Sequence, residues 1–175
     1  ADAKGLLATA IRDDDPVIFF EHKTLYTISG DVPDDEYLVP FGKARIVSEG
    51  NDCTLVATGR MVSFCENAAQ ALAEDGITCD IIDPRTTSPL DEDAILDSVE
   101  KTGRLVVVDE TPPRCSFAAD IAALAAGEVF SSLKAPVRQI TGPHSPVPFA
   151  KELEGEFVPS PTKIRDAVAE VVNFK

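Results

Sequence analysis

The sequence has no tryptophan and only two histidines, His22 and His144, among its 175 residues. Aromatic residues make up 6% of the chain, too few to suggest a surface that stacks single-stranded bases. Sixteen basic residues against 30 acidic ones give a formal net charge of −14. Because nucleic acids and anionic membranes are bound by clustered lysine and arginine, we expect neither as a partner. The negative net charge would attract a basic protein partner. A simpler explanation of the charge is that it keeps the protein soluble.

Motifs that would indicate a self-contained reaction are also missing. The sequence has no G-x-G-x-x-G, no P-loop, no G-x-S-x-G and no H-E-x-x-H.

The four cysteines of the sequence include no C-x-x-C pair. Three of them are interpreted as buried residues in a reducing compartment, whereas Cys115 lies at a helix start, which could favour a thiolate. Neither a signal-peptide pattern nor an apolar run of about 20 residues is present, so a cytoplasmic location is expected.

What the sequence does contain is an alternation of short apolar runs with amphipathic stretches, which predicts βαβ units. The fold class is therefore α/β, with three αβα layers around a mainly parallel five-stranded sheet in which the first strand is antiparallel. Predicted strands cover Arg45–Ser48, Thr54–Thr58, Cys79–Ile82, Arg104–Asp109 and Val137–Ile140. Predicted helices cover Met61–Glu74, Asp91–Lys101, Ser116–Phe130 and Pro161–Val172.

The start of the chain looks like the end of a different domain. A helix is predicted over Ala1–Arg12 and an apolar strand over Pro16–Glu21, followed by a long aperiodic loop over His22–Lys43. An apolar strand with open edges is an association hazard. We therefore expect its central residues, Val17–Phe20, to pair with another chain, to pack on the domain or to be disordered.

Two predicted turns at strand ends could carry chemistry. Thr58-Gly59-Arg60 opens a helix and could bind an anion there, although a tight turn alone also requires the glycine. Asp109 and Glu110 end a parallel strand, where α/β sheets bind ligands, and an acid–base role is conceivable. No histidine lies near them in sequence.

Two proline-containing segments are interpreted as structural or interfacial. In Asp83–Asp91 (DPRTTSPLD), Arg85 is expected to pair with Asp83 or to bind carbonyls at a sheet edge, and Asp91 to cap the following helix. His144 lies in the rigid loop PHSPVPF. Backbone hydrogen bonding is the simplest role for His144, and contact with another chain is the functional alternative.

Four blocks of the sequence together resemble a known family. GKARIVSEGNDCTLVATGRMV, DPRTTSPLD, GRLVVVDE and PHSPVPF-x-x-x-LE-x-x-x-x-P, in this order, are similar to the β subunit of thiamine-diphosphate-dependent 2-oxo acid dehydrogenases. These are the first components of the pyruvate, branched-chain and acetoin dehydrogenase complexes. PHSPVPF and EHKTLY look closest to acetoin dehydrogenase.

The resemblance implies a domain layout and a function. Residues 1–26 would end a pyrimidine-binding domain, 27–42 would be a linker, and 43–175 would form a transketolase-type C-terminal domain. The glutamate that activates thiamine diphosphate would lie upstream of Ala1, so these residues would be non-catalytic and bind no cofactor. The parent complex would use thiamine diphosphate and magnesium to cleave a C–C bond and pass an acyl group to lipoamide. The alternatives are a self-contained α/β enzyme or ligand-binding domain that uses Asp109 and Glu110, or a flavodoxin-like electron carrier.

The resemblance also implies partners and sites. The partners would be the α subunit, a second β subunit across a two-fold axis, and the basic peripheral subunit-binding domain of the acyltransferase core. Phe174 is the residue expected to contact that binding domain, and His144 is a further candidate contact. A potassium ion, held largely by backbone carbonyls, would lie at a turn formed by Ala10, Ile11, Asp13 and Asp15, although the family usually has asparagine at the last position. One further ligand would lie upstream of Ala1, so we expect these residues alone to leave the potassium site empty.

Overall fold

Strands and helices alternate along most of the chain in the computed structural model, which describes residues 1–175. The strands are β1 (Arg45–Ser48), β2 (Cys53–Ala57), β3 (Cys79–Asp83), β4 (Leu105–Asp109) and β5 (Arg138–Thr141). The helices are α1 (Asp2–Arg12), α2 (Arg60–Glu74), α3 (Glu92–Thr102), α4 (Phe117–Glu128), α5 (Lys151–Phe157) and α6 (Pro161–Val172). Short 3-10 helices cover Lys23–Thr27 and Phe130–Ser132. No helix has both the length and the apolar character that crossing a bilayer requires.

The five strands form one sheet in the order β1-β3-β2-β4-β5. Strands β3, β2, β4 and β5 are parallel, and β1 pairs antiparallel with β3. Strand β3, which follows β2 in the chain, lies on one side of the β2–β4 pair. Strand β5, which follows β4, lies on the other side of that pair. The carboxyl ends of β2 and β4 therefore flank the point where the strand order reverses, which is where open α/β sheets bind ligands.

Helices cover both faces of the sheet, which confirms the predicted three layers. Strands β2 and β4 are completely buried, as expected for strands covered on both sides. On one face α2 and α6 pack over a core that includes Leu55, Met61 and Val168. On the other face α3 and α4 enclose a second core that includes Ile95 and Ile121.

Several helix ends follow their local sequence. The Ser116 hydroxyl accepts a hydrogen bond from the Ala119 amide at 3.1 Å, so the predicted cap of α4 is confirmed. Gly103 ends α3 in the left-handed region at φ 74°. The predicted cap of α3 is wrong, because the Asp91 carboxylate makes no cap bond. That carboxylate instead accepts from the Ala44 amide at 2.8 Å and fastens the residues before β1.

One element predicted near the start of the chain, the strand over Pro16–Glu21, is absent from the structure. Pro16–Glu21 forms no strand, because no neighbouring chain segment offers it the ladder hydrogen bonds that define one. Ile18 and Phe20 are 80% and 90% exposed, whereas Phe19 is partly buried, so most of the apolar surface of Val17–Phe20 is open. Of the three outcomes expected for the segment, packing on the domain does not account for Ile18 and Phe20, and pairing with another chain stays a prediction.

Helix α1, by contrast, packs on the residues before the sheet. The Val39 amide donates to the Gly5 carbonyl at 3.2 Å, and the Thr9 hydroxyl donates to the Val39 carbonyl at 2.7 Å. A Cβ on Gly5 would come within 2.5 Å of the Val39 side chain, so only glycine permits this close approach. The loop between α1 and the sheet is therefore partly fixed by contacts with α1.

Candidate functional site

A histidine from the first segment lies at the strand-order reversal. Nε2 of His22 is 2.7 Å from a carboxylate oxygen of Glu110, the residue that follows β4. Nδ1 accepts from the Thr24 amide at 3.3 Å, and since an amide can only donate, the ring proton lies on Nε2 and is donated to Glu110. Both side chains are 29% exposed, so the pair is partly shielded from water. His22 thus ties residues 16–28 to the carboxyl edge of the sheet.

The same ring also lies beside the turn that follows β2. Gly59 has φ 56°, a left-handed conformation that favours glycine, and a Cβ built there would lie 3.8 Å from Cδ2 of His22. His22 therefore occupies the space between the ends of β2 and β4, which we call the switch-point crevice. A tight turn at Thr58-Gly59-Arg60 accounts for the positive φ of Gly59. No other feature of the structure indicates an anion-binding site at this turn.

The two carboxylates at the end of β4 have different surroundings. Asp109 is buried, and its oxygens accept from the Thr111 amide at 3.0 Å, the Thr111 hydroxyl at 2.6 Å and the Ala118 amide at 3.2 Å. Asp109 therefore joins β4 to the start of α4 and is fully engaged there. Only Glu110 faces the crevice, and its partner there is His22. A paired acid–base role for Asp109 and Glu110 has no support in this arrangement.

Arg85 fastens the residues before β1 to the sheet. Its amide donates to the Asp83 carboxylate at 3.1 Å, and its side chain donates to the Lys43 carbonyl at 3.0 and 2.8 Å. The same guanidinium contacts Asp2 at the start of α1 at 3.1 Å. Burial raises the pKa of Asp83, and the Arg85 amide opposes that shift. The predicted binding of carbonyls by the Arg85 side chain is confirmed. The predicted pairing with Asp83 is wrong for the side chain, because the guanidinium pairs with Asp2 and only the backbone amide of Arg85 meets Asp83. The DPRTTSPLD segment acts as a connector.

An apolar groove lies at the end of the chain. Phe174 is 49% exposed and Phe130 is 73% exposed, and both line a groove of about 470 Å³. We call this the C-terminal groove. Lys134 is its one charged lining residue, and the remaining lining residues are apolar: Ala122, Ala126, Leu133, Ala135, Pro136 and Val137. Such a surface is suited to contact with another protein.

The His144 loop is a second exposed surface. His144 makes no side-chain hydrogen bond, so the expected bond to backbone is wrong. Val147 is 67% exposed and Phe149 is fully exposed. Exposed apolar side chains on a proline-stiffened loop are suited to contact with another chain, and that role for His144 stays a prediction.

Comparison with known proteins assigns the fold to a family. Residues 42–164 match the family described as transketolase, C-terminal domain. The chain belongs to this family. The match covers the whole sheet and most of the helices that pack on it.

Curated relatives agree with the transketolase C-terminal assignment. The chain is 54% identical over 171 residues to the β subunit of acetoin:2,6-dichlorophenolindophenol oxidoreductase from Bacillus subtilis, covering 98% of the chain and 50% of that relative. It is 44% identical to the pyruvate dehydrogenase E1 component β subunit from Rickettsia bellii, covering 99% and 54%. The resemblance to these β subunits is confirmed. The chain spans about half the length of the curated relatives it matches.

A solved structure supports the fold of this transketolase C-terminal domain. A split-gene transketolase described as an inactive β4 tetramer superposes with a TM-score of 0.70. That superposition covers 83% of this chain and 46% of the other, at 22% identity. Similarity at this level establishes a shared architecture only.

The predicted potassium turn lies at the end of α1. Ala10 and Ile11 are in its last turn, where carbonyls have no partner within the helix. The Asp13 carboxylate accepts from the Asp15 amide at 2.9 Å, which forms a local turn. The acidic side chains do not converge on a common point that could hold a metal. Backbone carbonyls are a type of ligand that potassium takes, and a backbone-held ion at this turn stays a prediction.

The crevice contact was not visible in the sequence. His22 and Glu110 are 88 positions apart, and neither belongs to a recognisable motif with the other. That the histidine of EHKTLY meets the edge of the sheet becomes apparent only once the chain is folded.

Proposed function

We propose that this chain is the C-terminal assembly and docking part of the β subunit of a thiamine-diphosphate-dependent dehydrogenase complex. Acetoin is the first choice of substrate and pyruvate the second, because the acetoin oxidoreductase β subunit shares 54% identity and the pyruvate dehydrogenase β subunit 44%. The complete enzyme would cleave a C–C bond and transfer an acyl group to lipoamide. Thiamine diphosphate and magnesium would bind in the complete enzyme, away from the residues described here.

The observation that supports this proposal most strongly is the occupied switch-point crevice. A small α/β enzyme would use this edge of the sheet for its ligand. Here His22 lies across it and pairs with Glu110 at 2.7 Å, while Asp109 is engaged by Thr111 and Ala118. The edge therefore serves to attach the first segment to the transketolase C-terminal domain. This favours an assembly role over catalysis within the chain.

The exposed apolar surfaces support partner contacts. Ile18 and Phe20 are exposed in a segment that we assign, with residues 1–26, to the end of a pyrimidine-binding domain. In the complete β subunit the remaining sheet of that domain would cover them. Residues 27–42 would then be the linker and 43–175 the C-terminal domain.

The C-terminal groove is proposed as the docking surface for the acyltransferase core. Phe174 would insert an exposed ring into the contact with the core's peripheral subunit-binding domain, near the two-fold axis that relates two β subunits. That domain is expected to be basic, which matches the net charge of −14. Lys134, the one charged residue in the groove, is positive and would not attract a basic domain. The attraction would come from acidic residues around the groove, such as Glu128 at the end of α4. His144 and the exposed Phe149 are proposed as further contacts with a partner chain.

A potassium ion at the end of α1 is a further part of the proposal. It would be held by the carbonyls of Ala10 and Ile11, with Asp13 and Asp15 adjacent. An ion there would stabilise the turn that leads into Val17–Phe20.

A reconstitution experiment tests the function. The full-length β subunit mixed with its α subunit, thiamine diphosphate and magnesium should cleave acetoin, with dichlorophenolindophenol as electron acceptor. The 175-residue chain mixed with the same α subunit should show no turnover. Pyruvate assayed in parallel separates the two substrates. Turnover of either substrate by the 175-residue chain alone would refute an assembly role and favour a self-contained enzyme.

A further inference from the structure

Arg104 connects the end of the last helix to the start of β2. Its Nε donates to the Val171 carbonyl at 3.0 Å and its Nη2 to the Val172 carbonyl at 3.4 Å. Its Nη1 donates to the Asp52 carbonyl at 3.3 Å. The guanidinium thus holds the C-terminal end of α6 against the residue that precedes β2.

A side chain that donates to the last carbonyls of a helix stabilises its C-terminal turn. The last carbonyls of a helix have no partner within it, so a terminal turn frays unless side chains satisfy them. An arginine also interacts favourably with the negative end of the helix dipole. The two carbonyls held by Arg104 lie immediately before Asn173 and Phe174, so this contact fixes the direction in which the chain leaves α6.

The Phe174 ring depends on that direction. Phe174 lines the C-terminal groove together with Phe130 but is itself half exposed, so few contacts of its own hold it there. If the last turn of α6 frayed, the ring would sample other positions. A partner that binds only the ordered arrangement would then bind more weakly, in proportion to the fraction of molecules in that arrangement.

We propose that Arg104 is a positioning residue for docking: it fixes the last turn of α6 and so holds Phe174 where a partner domain can bind it. This inference rests on the proposed docking of the basic peripheral subunit-binding domain at the C-terminal groove. Arg104 does not itself touch the partner. It acts on affinity only through Phe174.

A double-mutant cycle tests this role. Full-length β subunit assembled with its α subunit is titrated with the isolated peripheral subunit-binding domain in a calorimeter. Phe174→Ala tests the docking surface and should lower affinity about tenfold or more, as for an aromatic anchor. Arg104→Met should lower affinity about fivefold, as expected if Phe174 is correctly placed in about a fifth of molecules. In the Phe174→Ala background the same Arg104→Met change should have less than about a twofold effect.

Two further variants separate positioning from general stability. Arg104→Lys should restore part of the affinity, because a lysine can donate to one or two of the three carbonyls but lacks the planar fork. Arg165→Met removes an exposed arginine from the same helix, paired only with its neighbour Asp166, and should leave affinity unchanged. Amide hydrogen exchange at residues 173–175 should be faster in Arg104→Met and normal in Arg165→Met.

The outcomes are distinguishable. Normal binding by Phe174→Ala would refute the proposed docking surface, and the positioning role with it. Weakened binding by Phe174→Ala together with normal binding by Arg104→Met would overturn the positioning role and leave the docking surface intact. An equal effect of Arg104→Met in both backgrounds would show that the arginine acts through overall stability, and would also overturn it.

Discussion

His22 and Glu110, which are 88 positions apart, form a hydrogen bond of 2.7 Å across the carboxyl edge of the sheet. The bond joins a segment with exposed apolar residues to the transketolase C-terminal domain, at the place where a sheet of this type would otherwise bind a ligand. Asp2, at the other end of the first segment, contacts Arg85 and Arg45 at 3.1 and 3.2 Å. Three polar contacts, one made by His22 and two made by Asp2, therefore attach the first residues to the domain.

Removing the His22 ring should loosen the first segment. His22→Ala deletes a partly shielded hydrogen bond to a carboxylate, and we expect a loss of about 1 kcal/mol in the free energy that holds residues 16–28 in place. Hydrogen exchange and limited proteolysis in that segment measure the change. His144→Ala, which removes an exposed histidine without a hydrogen bond, is the matched control and should have no effect. Equal protection of residues 16–28 in all three proteins would show that the His22 contact does not hold the segment.

A buried carboxylate should govern the acid stability of the domain. Asp80 accepts from the Lys101 ammonium at 2.6 Å, the Ser98 hydroxyl at 2.6 Å and the Gly50 amide at 2.7 Å. Burial alone would raise the pKa of Asp80, but these three donors outweigh it and lower the pKa below its usual value. Asp80 therefore contributes stability above pH of about 4, and the contribution is lost as pH falls through the lowered pKa.

Urea unfolding from pH 7 to pH 3 measures this contribution. Asp80→Asn should lower the free energy of unfolding by about 2 kcal/mol at pH 7 and flatten the loss of stability towards pH 3. Asp166→Asn changes an exposed aspartate and should leave both the stability and its pH dependence unchanged. If Asp80→Asn lost stability between pH 7 and pH 3 as steeply as the wild-type protein, another group would control the acid dependence of stability.

The cysteines should differ sharply in reactivity. Burial raises the pKa of the thiols of Cys53, Cys65 and Cys79, to about 12 for Cys79, whereas Cys115 is exposed. Since the thiolate is the reactive form, an alkylating reagent at pH 8 should modify Cys115 alone in the native protein. In urea all four cysteines should react. Mass spectrometry of the labelled peptides distinguishes them, and native labelling of Cys65 would contradict the buried arrangement.

The exposed apolar segment should matter for association and not for stability of the chain. Ile18→Ser and Phe20→Ser change side chains that are 80% and 90% exposed, so thermal unfolding of the 175-residue chain should hardly change. Self-association in sedimentation velocity should decrease, because the variants remove an open apolar surface. Leu55→Ala, in the core, should instead cost about 2–5 kcal/mol. Marked destabilisation by Phe20→Ser would mean that the segment packs on the domain.

Much of the architecture could be predicted from local sequence patterns. Helix α6 has the predicted bounds Pro161–Val172, because a serine cap and the apolar spacing of Ile164, Ala167, Val168 and Val171 act within one segment. The same kind of pattern predicts a strand over the apolar run Pro16–Glu21. That prediction failed because a strand also requires a hydrogen-bonded neighbour, which these residues lack here.

The contacts that matter for function were harder to predict. Asp91 is placed correctly for a helix cap, yet its carboxylate binds the Ala44 amide from a distant part of the chain. Glu110 meets His22, and Arg104 meets the end of α6, through folding rather than through spacing in the sequence. Long side chains at the ends of elements can reach several partners, and only the packed structure selects one.

Calorimetric titration of the purified 175-residue chain with thiamine diphosphate and magnesium tests the central claim most directly, that the chain assembles the enzyme and does not hold its cofactor. The complete α and β subunits, titrated under the same conditions, provide the positive control. No heat of binding for the chain, with stoichiometric binding by the complete enzyme, is the predicted result. Stoichiometric binding of thiamine diphosphate by the chain alone would contradict the claim.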